Sequence, residues 1–130
     1  MAFEGSFSIL KWNEEILIEK SEGIKTSHAS IEQSYTGSMV GESTIEFLMS
    51  YQAPTSAKFT GFENFIGVIN GLRGTVTFQH IGMFENGVAS SEFASIDGSA
   101  TGELVGKSIT GHFKSGESGK AEYVIELNER

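Results

Sequence analysis

Glu63 and His80 are the residues whose types and spacing point to proton-transfer chemistry. Between them lies Asn70-Gly71, a dipeptide suited to a two-residue hairpin turn because both central positions of such a turn need positive φ. With that turn, Ile69 faces Leu72, Phe65 faces Val76, Glu63 faces Phe78, Gly61 faces His80 and Phe59 faces Gly82. Opposed residues in an antiparallel pair point to the same side of the sheet. Glu63 and His80 are then diagonal neighbours on one face, with Cβ atoms roughly 7–8 Å apart, close enough for the two side chains to meet. A carboxyl and an imidazole in contact can act as an acid–base pair or fix the polar end of a ligand. Gly61 is expected to leave open space beside the imidazole, walled by Phe59, Phe65, Phe78 and Phe93. The candidate catalytic residues are Glu63 and His80. The candidate ligand-binding residues are Phe59, Glu63, Phe65, Phe78, His80 and Phe93. The structural alternative is a satisfied Glu–His hydrogen bond closed in by phenylalanines.

The elements that would hold this pair are hairpin strands. Asn86-Gly87 is a second turn of the same kind, and it sets His80 opposite Phe93, Phe78 opposite Ser95 and Phe84 opposite Ala89. Those partners are small or apolar, as an interior requires, so the two turns agree. Asp97-Gly98 has the same hairpin chemistry, and softer turns are expected at Gly37-Ser38, around Pro54 and at Gly116 to Gly119. They delimit about eight extended segments: Ala2–Trp12, Lys25–Tyr35, Val40–Tyr51, Ala57–Ile69, Leu72–Glu85, Val88–Ile96, Thr101–Lys114 and Ala121–Leu127. Trp12 to Glu22 is the one stretch compatible with a short helix, its alternative being an acidic loop or an edge strand. No linker divides the segments, so residues 1–130 read as one all-β domain. Consecutive hairpins predict an up-and-down antiparallel barrel of about eight strands, because closure removes exposed edges.

Composition excludes several chemistries. The 130 residues include no Cys, so disulfides, thiolate catalysis and cysteine-ligated zinc are ruled out. The 17 acidic residues include a single Asp, which rules out an aspartate dyad, and a net charge of −8 argues against a phosphate-binding surface. His28, His80 and His112 lie far apart without a ligand-spaced motif, so no metal and no cofactor is expected. Gly116-Glu-Ser-Gly-Lys120 echoes a phosphate loop, but Lys114 stands where the first Gly is needed and Ala121 where Ser or Thr is needed, so it reads as a turn. Trp12 reads as a core or rim packing residue. The N-terminus has neither a basic nor an apolar leader region, and no apolar run approaches bilayer length. The expected location is cytoplasmic, with no nucleic-acid and no membrane partner.

Three segments are distinctive: Gly61-Phe-Glu-Asn-Phe-Ile-Gly67, Gly71 through Phe78-Gln-His-Ile-Gly82, and Gly98-Ser-Ala-Thr-Gly-Glu-Leu-Val-Gly106. With Val40-Gly-Glu-Ser-Thr-Ile-Glu-Phe-Leu-Met49 upstream, they resemble domain of unknown function family 3224, an uncharacterised bacterial group. The resemblance spans nearly the whole chain. It implies an antiparallel barrel like that of allene oxide cyclases and implies no activity, since fold does not carry chemistry with it. Glu63, Gln79, His80 and Glu103 lie within the recognisable segments.

Three functions fit. The first is a barrel that binds a small apolar or amphipathic molecule inside, an eight-stranded barrel being just wide enough for that. The second is an acid–base isomerase or cyclase using Glu63 and His80. The third is a structural or homo-oligomeric module, for which an exposed patch of Phe62, Ile66 and Ile81 would serve.

Overall fold

A computed structural model describes residues 2–116 and 120–129. The chain forms β1 (Ala2–Ser21), β2 (Ile24–Gly37), β3 (Met39–Ala53), β4 (Ser56–Ile69), β5 (Leu72–Glu85), β6 (Val88–Ser95), β7 (Thr101–Gly102), β8 (Lys107–Ser115) and β9 (Lys120–Glu129). All pairings are antiparallel. Each long strand pairs with its sequence neighbours, and β1 pairs with β9, so eight strands close into a ring. β7 adds two residues to the lower part of β5, at Gly74 and Thr75, beyond the reach of β6. The described residues include no helix long and apolar enough to cross a membrane.

Turn chemistry sets the registers. Asn70 and Asn86 have φ of 48° and 49°, followed by Gly71 and Gly87 at 81° and 85°, the paired positive values of a primed turn whose twist matches that of the strands it joins. The resulting registers are Ile69↔Leu72, Glu63↔Phe78 and Gly61↔His80, then His80↔Phe93 and Phe78↔Ser95, as the two dipeptides predict. Alternation does the rest. Inward positions of β3, from Met39 through Ile45, Phe47 and Met49 to Tyr51, are buried, while the residues between them face out. Phe62, Ile66 and Ile81 are exposed on the outer face.

Three expectations are corrected. Trp12 to Glu22 is not a helix, since β1 continues through it to Ser21. An isolated helix of that length is marginal, whereas β2 offers a complete ladder up to the Gly23 turn. The extra residues are absorbed as bulges that leave Leu10, Leu17 and Lys20 without a β2 partner. Asp97-Gly98 does not form a hairpin between strands. Gly98 alone has positive φ, and the chain beyond it crosses to β5. Thr101–Lys114 is accordingly not one strand. Residues 103–106 turn back through backbone bonds from Leu104 N–H to Thr101 and from Lys107 N–H to Leu104, which drives the wholly buried Leu104 into the core. The recognisable Thr-Gly-Glu-Leu segment thus closes the barrel end that carries the Asn70-Gly71 turn. Glu117 to Gly119, the centre of the expected Gly116 turn, lie outside the described residues, although β8 and β9 pair as a hairpin up to Ser115↔Ala121.

Candidate binding site

Glu63 and His80 meet inside the barrel, both about 1% exposed. His80 Nε2 and Glu63 Oε1 share a hydrogen bond of 2.7 Å. Nδ1 of the same ring bonds Ser91 Oγ at 2.8 Å. The other carboxylate oxygen accepts from Ser43 Oγ at 2.7 Å, from Gln33 Nε2 at 3.4 Å and from the Tyr35 hydroxyl. Gln33 Nε2 also donates to the Tyr35 oxygen at 2.9 Å. The chain of polar groups therefore takes Gln33 and Tyr35 from β2, Ser43 from β3, Glu63 from β4, His80 from β5 and Ser91 from β6. Burial, followed by the Glu63 carboxylate, pushes the Tyr35 hydroxyl well above its ordinary pKa, so this phenol is a fixed donor.

The surroundings of the imidazole differ from expectation. A Cβ on Gly61 would lie 1.9 Å from the Glu46 carbonyl oxygen. The missing side chain therefore admits the β3 backbone and leaves no room beside the ring. His80 is enclosed by Phe93 at 5.0 Å, Phe47 at 5.3 Å and Phe113 at 5.8 Å between ring centroids. Phe78 packs on Phe93, Phe59 on Phe47 and Phe65 on Tyr35, one layer further from the imidazole.

A cavity of about 270 Å³ opens at the opposite end from Leu104, among the β1–β2, β3–β4, β5–β6 and β8–β9 hairpin ends. Phe7, Ile31, Phe47, Met49, Phe59, Phe84, Ala89, Phe113 and Ala121 form its apolar walls, Gln33 brings a buried amide to it, and Ile9, Trp12 and Lys120 edge it. Of the expected ligand-binding residues only Phe59 lines this space. Glu63, Phe65, Phe78, His80 and Phe93 do not, and the Glu63–His80 pair is tied to it through Gln33, Phe47 and Phe113.

Above the cavity, β1 carries a second polar group. Glu14 accepts from Ser27 Oγ at 2.5 Å, Tyr51 Oη at 2.9 Å and Trp12 Nε1 at 3.2 Å. Burial pushes the Glu14 carboxyl up, but those three donors and the nearby Lys25 charge outweigh it, so the group sits below its ordinary pKa. Burial and the same carboxylate push Tyr51 to about 12. Among the described residues, no group of three or more His, Cys, Asp or Glu side chains could hold a metal.

The family model for proteins of unknown function DUF3224 matches residues 3–127. The chain belongs to that family. A crystal structure of a DUF3224 protein of unknown function from Shewanella oneidensis MR-1 superposes with a TM-score of 0.77 at 20% identity, covering 100% of this chain and 97% of that one. That level of identity shows a shared fold. No curated protein matches the chain. Within this DUF3224 fold, Gln79 faces outward and Glu103 accepts from the Arg73 backbone N–H at 3.0 Å, so neither joins the Glu63–His80 cluster. Gln33, Tyr35, Ser43, Ser91, Phe47 and Phe113 escaped the two-turn reading. Alternation alone puts Gln33 and Tyr35 in line with Ile31, and Ser43 in line with Ile45 and Phe47. Placing them against Glu63 requires the registers of β2 and β3, whose joining turn at Gly37-Ser38 is not a hairpin dipeptide.

Proposed function

We propose that this barrel binds one small, mainly apolar molecule in the cavity at its open end. The observation that carries the proposal is an apolar space of about 270 Å³ in a barrel otherwise filled by its own side chains. Ligand pockets commonly run ~300–1,000 Å³, and a dry cavity of ~150 Å³ holds benzene. The occupant is thus a one- or two-ring compound or a short acyl chain. Gln33 supplies the polar recognition. Its Nε2 is committed to Tyr35 and Glu63, so its carbonyl oxygen is the acceptor it can offer to a ligand hydroxyl. Binding is favoured over acid–base turnover because Glu63 and His80 do not line the cavity. Likeness to cyclase barrels adds no chemistry.

The test is native mass spectrometry of protein purified without refolding, followed by titration with 1-naphthol and with medium-chain alcohols. Ala121 is buried and lines the cavity, so Ala121→Phe fills the space. Saturable one-to-one binding in the wild type, lost in Ala121→Phe with the fold retained, supports the proposal. Equal binding by both proteins, or none by the wild type, overturns it.

A further inference from the structure

β1 is far longer than its neighbour on one side. It pairs with β2 from Gly5 to Ser21, but with β9 only from Ala2 to Ser8. From Ile9 to Ser21 one edge of β1 therefore has no strand beside it among the described residues. The edge is blunted in part by the bulges at Leu10, Leu17 and Lys20, by Lys11 and Lys20, and by the inward-facing Glu14. It still carries Leu10, Ile16, Leu17 and Ile18, each between 52% and 58% exposed, and such a run of apolar side chains beside unpaired backbone favours pairing. The bulges at Leu10 and Leu17 bracket a regular stretch from Lys11 to Ile16.

We infer that this edge pairs antiparallel with the same edge of a second copy of the chain, about a two-fold axis through Asn13. An axis normal to the sheet leaves each residue on its own face, so it must pass through a residue rather than between two. Lys11, Asn13 and Glu15 face outward, opposite Glu32, Ser30 and His28 of β2, and Trp12, Glu14 and Ile16 face the mouth, opposite Ile31, Ala29 and Ser27. Charge decides among the possible centres. Centring on Glu14 or on Glu15 sets a carboxylate against its own copy, and centring on Trp12 makes no ion pair. Centring on Asn13 sets Lys11 against the second copy's Glu15 twice, once on each side of the axis, and sets Leu10 near Ile16. On the mouth side each Trp12, which edges the cavity, then meets the second copy's Glu14, so the pairing joins the rims of two cavities. Edge pairing of this length belongs to the weak, reversible class of interfaces.

Sedimentation velocity over a wide concentration range tests this. The wild type should show a monomer–dimer equilibrium. Lys11→Glu and Glu15→Lys should each weaken it by roughly tenfold, since each replaces two opposed ion pairs by two like-charge contacts. The double variant should recover the wild-type constant. Asn13→Asp is an independent probe, because it faces only Ser30 within its own chain and sets a charge against its copy, and it too should weaken the dimer. Circular dichroism melts confirm that each variant is folded. A wild type that stays monomeric throughout overturns the proposal. So does a dimer that Lys11→Glu and Asn13→Asp leave intact, or one that Ile81→Lys on the outer face abolishes.

Discussion

Replacing Glu63 with alanine and with glutamine should give very different stabilities. Alanine removes the acceptor of His80, Tyr35 and Ser43 in the barrel interior. Gln33 and Tyr35 can still bond each other, so two or three buried polar groups are orphaned. At about 1–3 kcal/mol each, with the void added, the loss is roughly 4–7 kcal/mol. That is a large share of the ~5–15 kcal/mol available to a domain. Glutamine keeps the shape. Its amide oxygen can accept from Tyr35 and Ser43, and its NH₂ can donate to His80 Nε2 if the imidazole is neutral with its proton on Nδ1. That proton then goes to Ser91 Oγ, which lies 2.8 Å away and can itself donate to the Glu92 carbonyl at 3.1 Å. Every group is satisfied, and the loss is about 1–2 kcal/mol for exchanging charge-assisted bonds for neutral ones. Urea unfolding followed by circular dichroism measures the difference, and nitrogen chemical shifts of His80 in Glu63→Gln should report the Nδ1–H tautomer. If Glu63→Gln costs as much as Glu63→Ala, charge rather than hydrogen-bond satisfaction holds the cluster, and the reasoning fails.

Alkaline pH should destabilise the fold. Unfolded tyrosine ionises near ~10, whereas Tyr35 is held well above that by burial and Glu63, and Tyr51 at about 12 by burial and Glu14. Above the unfolded value the unfolded chain has released protons that the native chain keeps, so melting temperature falls as pH rises, and Tyr35→Phe should flatten that fall. Glu14 has the opposite sign: its lowered pKa stabilises at neutral pH, and the contribution is lost as pH drops through and below the usual carboxylate range, so Glu14→Gln should remove part of the acid slope in the same melts. Gly61→Ala should prevent folding, because its Cβ would strike the Glu46 carbonyl at 1.9 Å, whereas Gly71→Ala meets nothing within 4 Å and suffers only its φ of +81°, about 1–2 kcal/mol by urea unfolding. Leu104→Ala, at a wholly buried site, should cost about 2–5 kcal/mol, while the neighbouring exposed Val105→Ala stays within about 0.5 kcal/mol; equal costs would show that the 103–106 turn does not anchor the barrel end.

The outline and part of the site were legible because Asn-Gly turns are local devices. Two residues with positive φ fix the pairing of the strands they join, and period-two alternation then assigns each side chain a face. That was enough to bring Glu63 to His80 and Phe93 to His80. It failed where geometry depends on distant chain. Whether Gly61 leaves a space or admits a backbone depends on how closely β3 approaches, which no residue near Gly61 encodes. The cavity depends on Phe7, Phe47, Phe113 and Ala121, which come from four different strands. Trp12 to Glu22 was ambiguous because its three consecutive apolar residues, Ile16 to Ile18, fit no alternation, and a bulge at Leu17 resolves them by taking one residue out of the count.

The same reasoning explains why ionisable groups belong in a position that does not line the cavity. The polar cluster takes side chains from five consecutive strands, β2 to β6, and its bonds join β2 to β4, β3 to β4, β4 to β5 and β5 to β6. A slip of one residue in any of those pairings would turn a strand's whole apolar set outward, which alternation already forbids, but a slip of two residues keeps every side chain on its own face. A slip of two residues would carry Glu63 or His80 along the interior, away from Tyr35, Ser43 or Ser91, and leave those groups buried and unpaired, which is expensive. An apolar interior discriminates weakly between such registers, because one large apolar residue fills space much as another does. A carboxylate with three donors on one oxygen and an imidazole on the other accepts a single alignment. The cluster makes the native register the one in which all five strands agree, and that holds the walls of the neighbouring cavity in one arrangement.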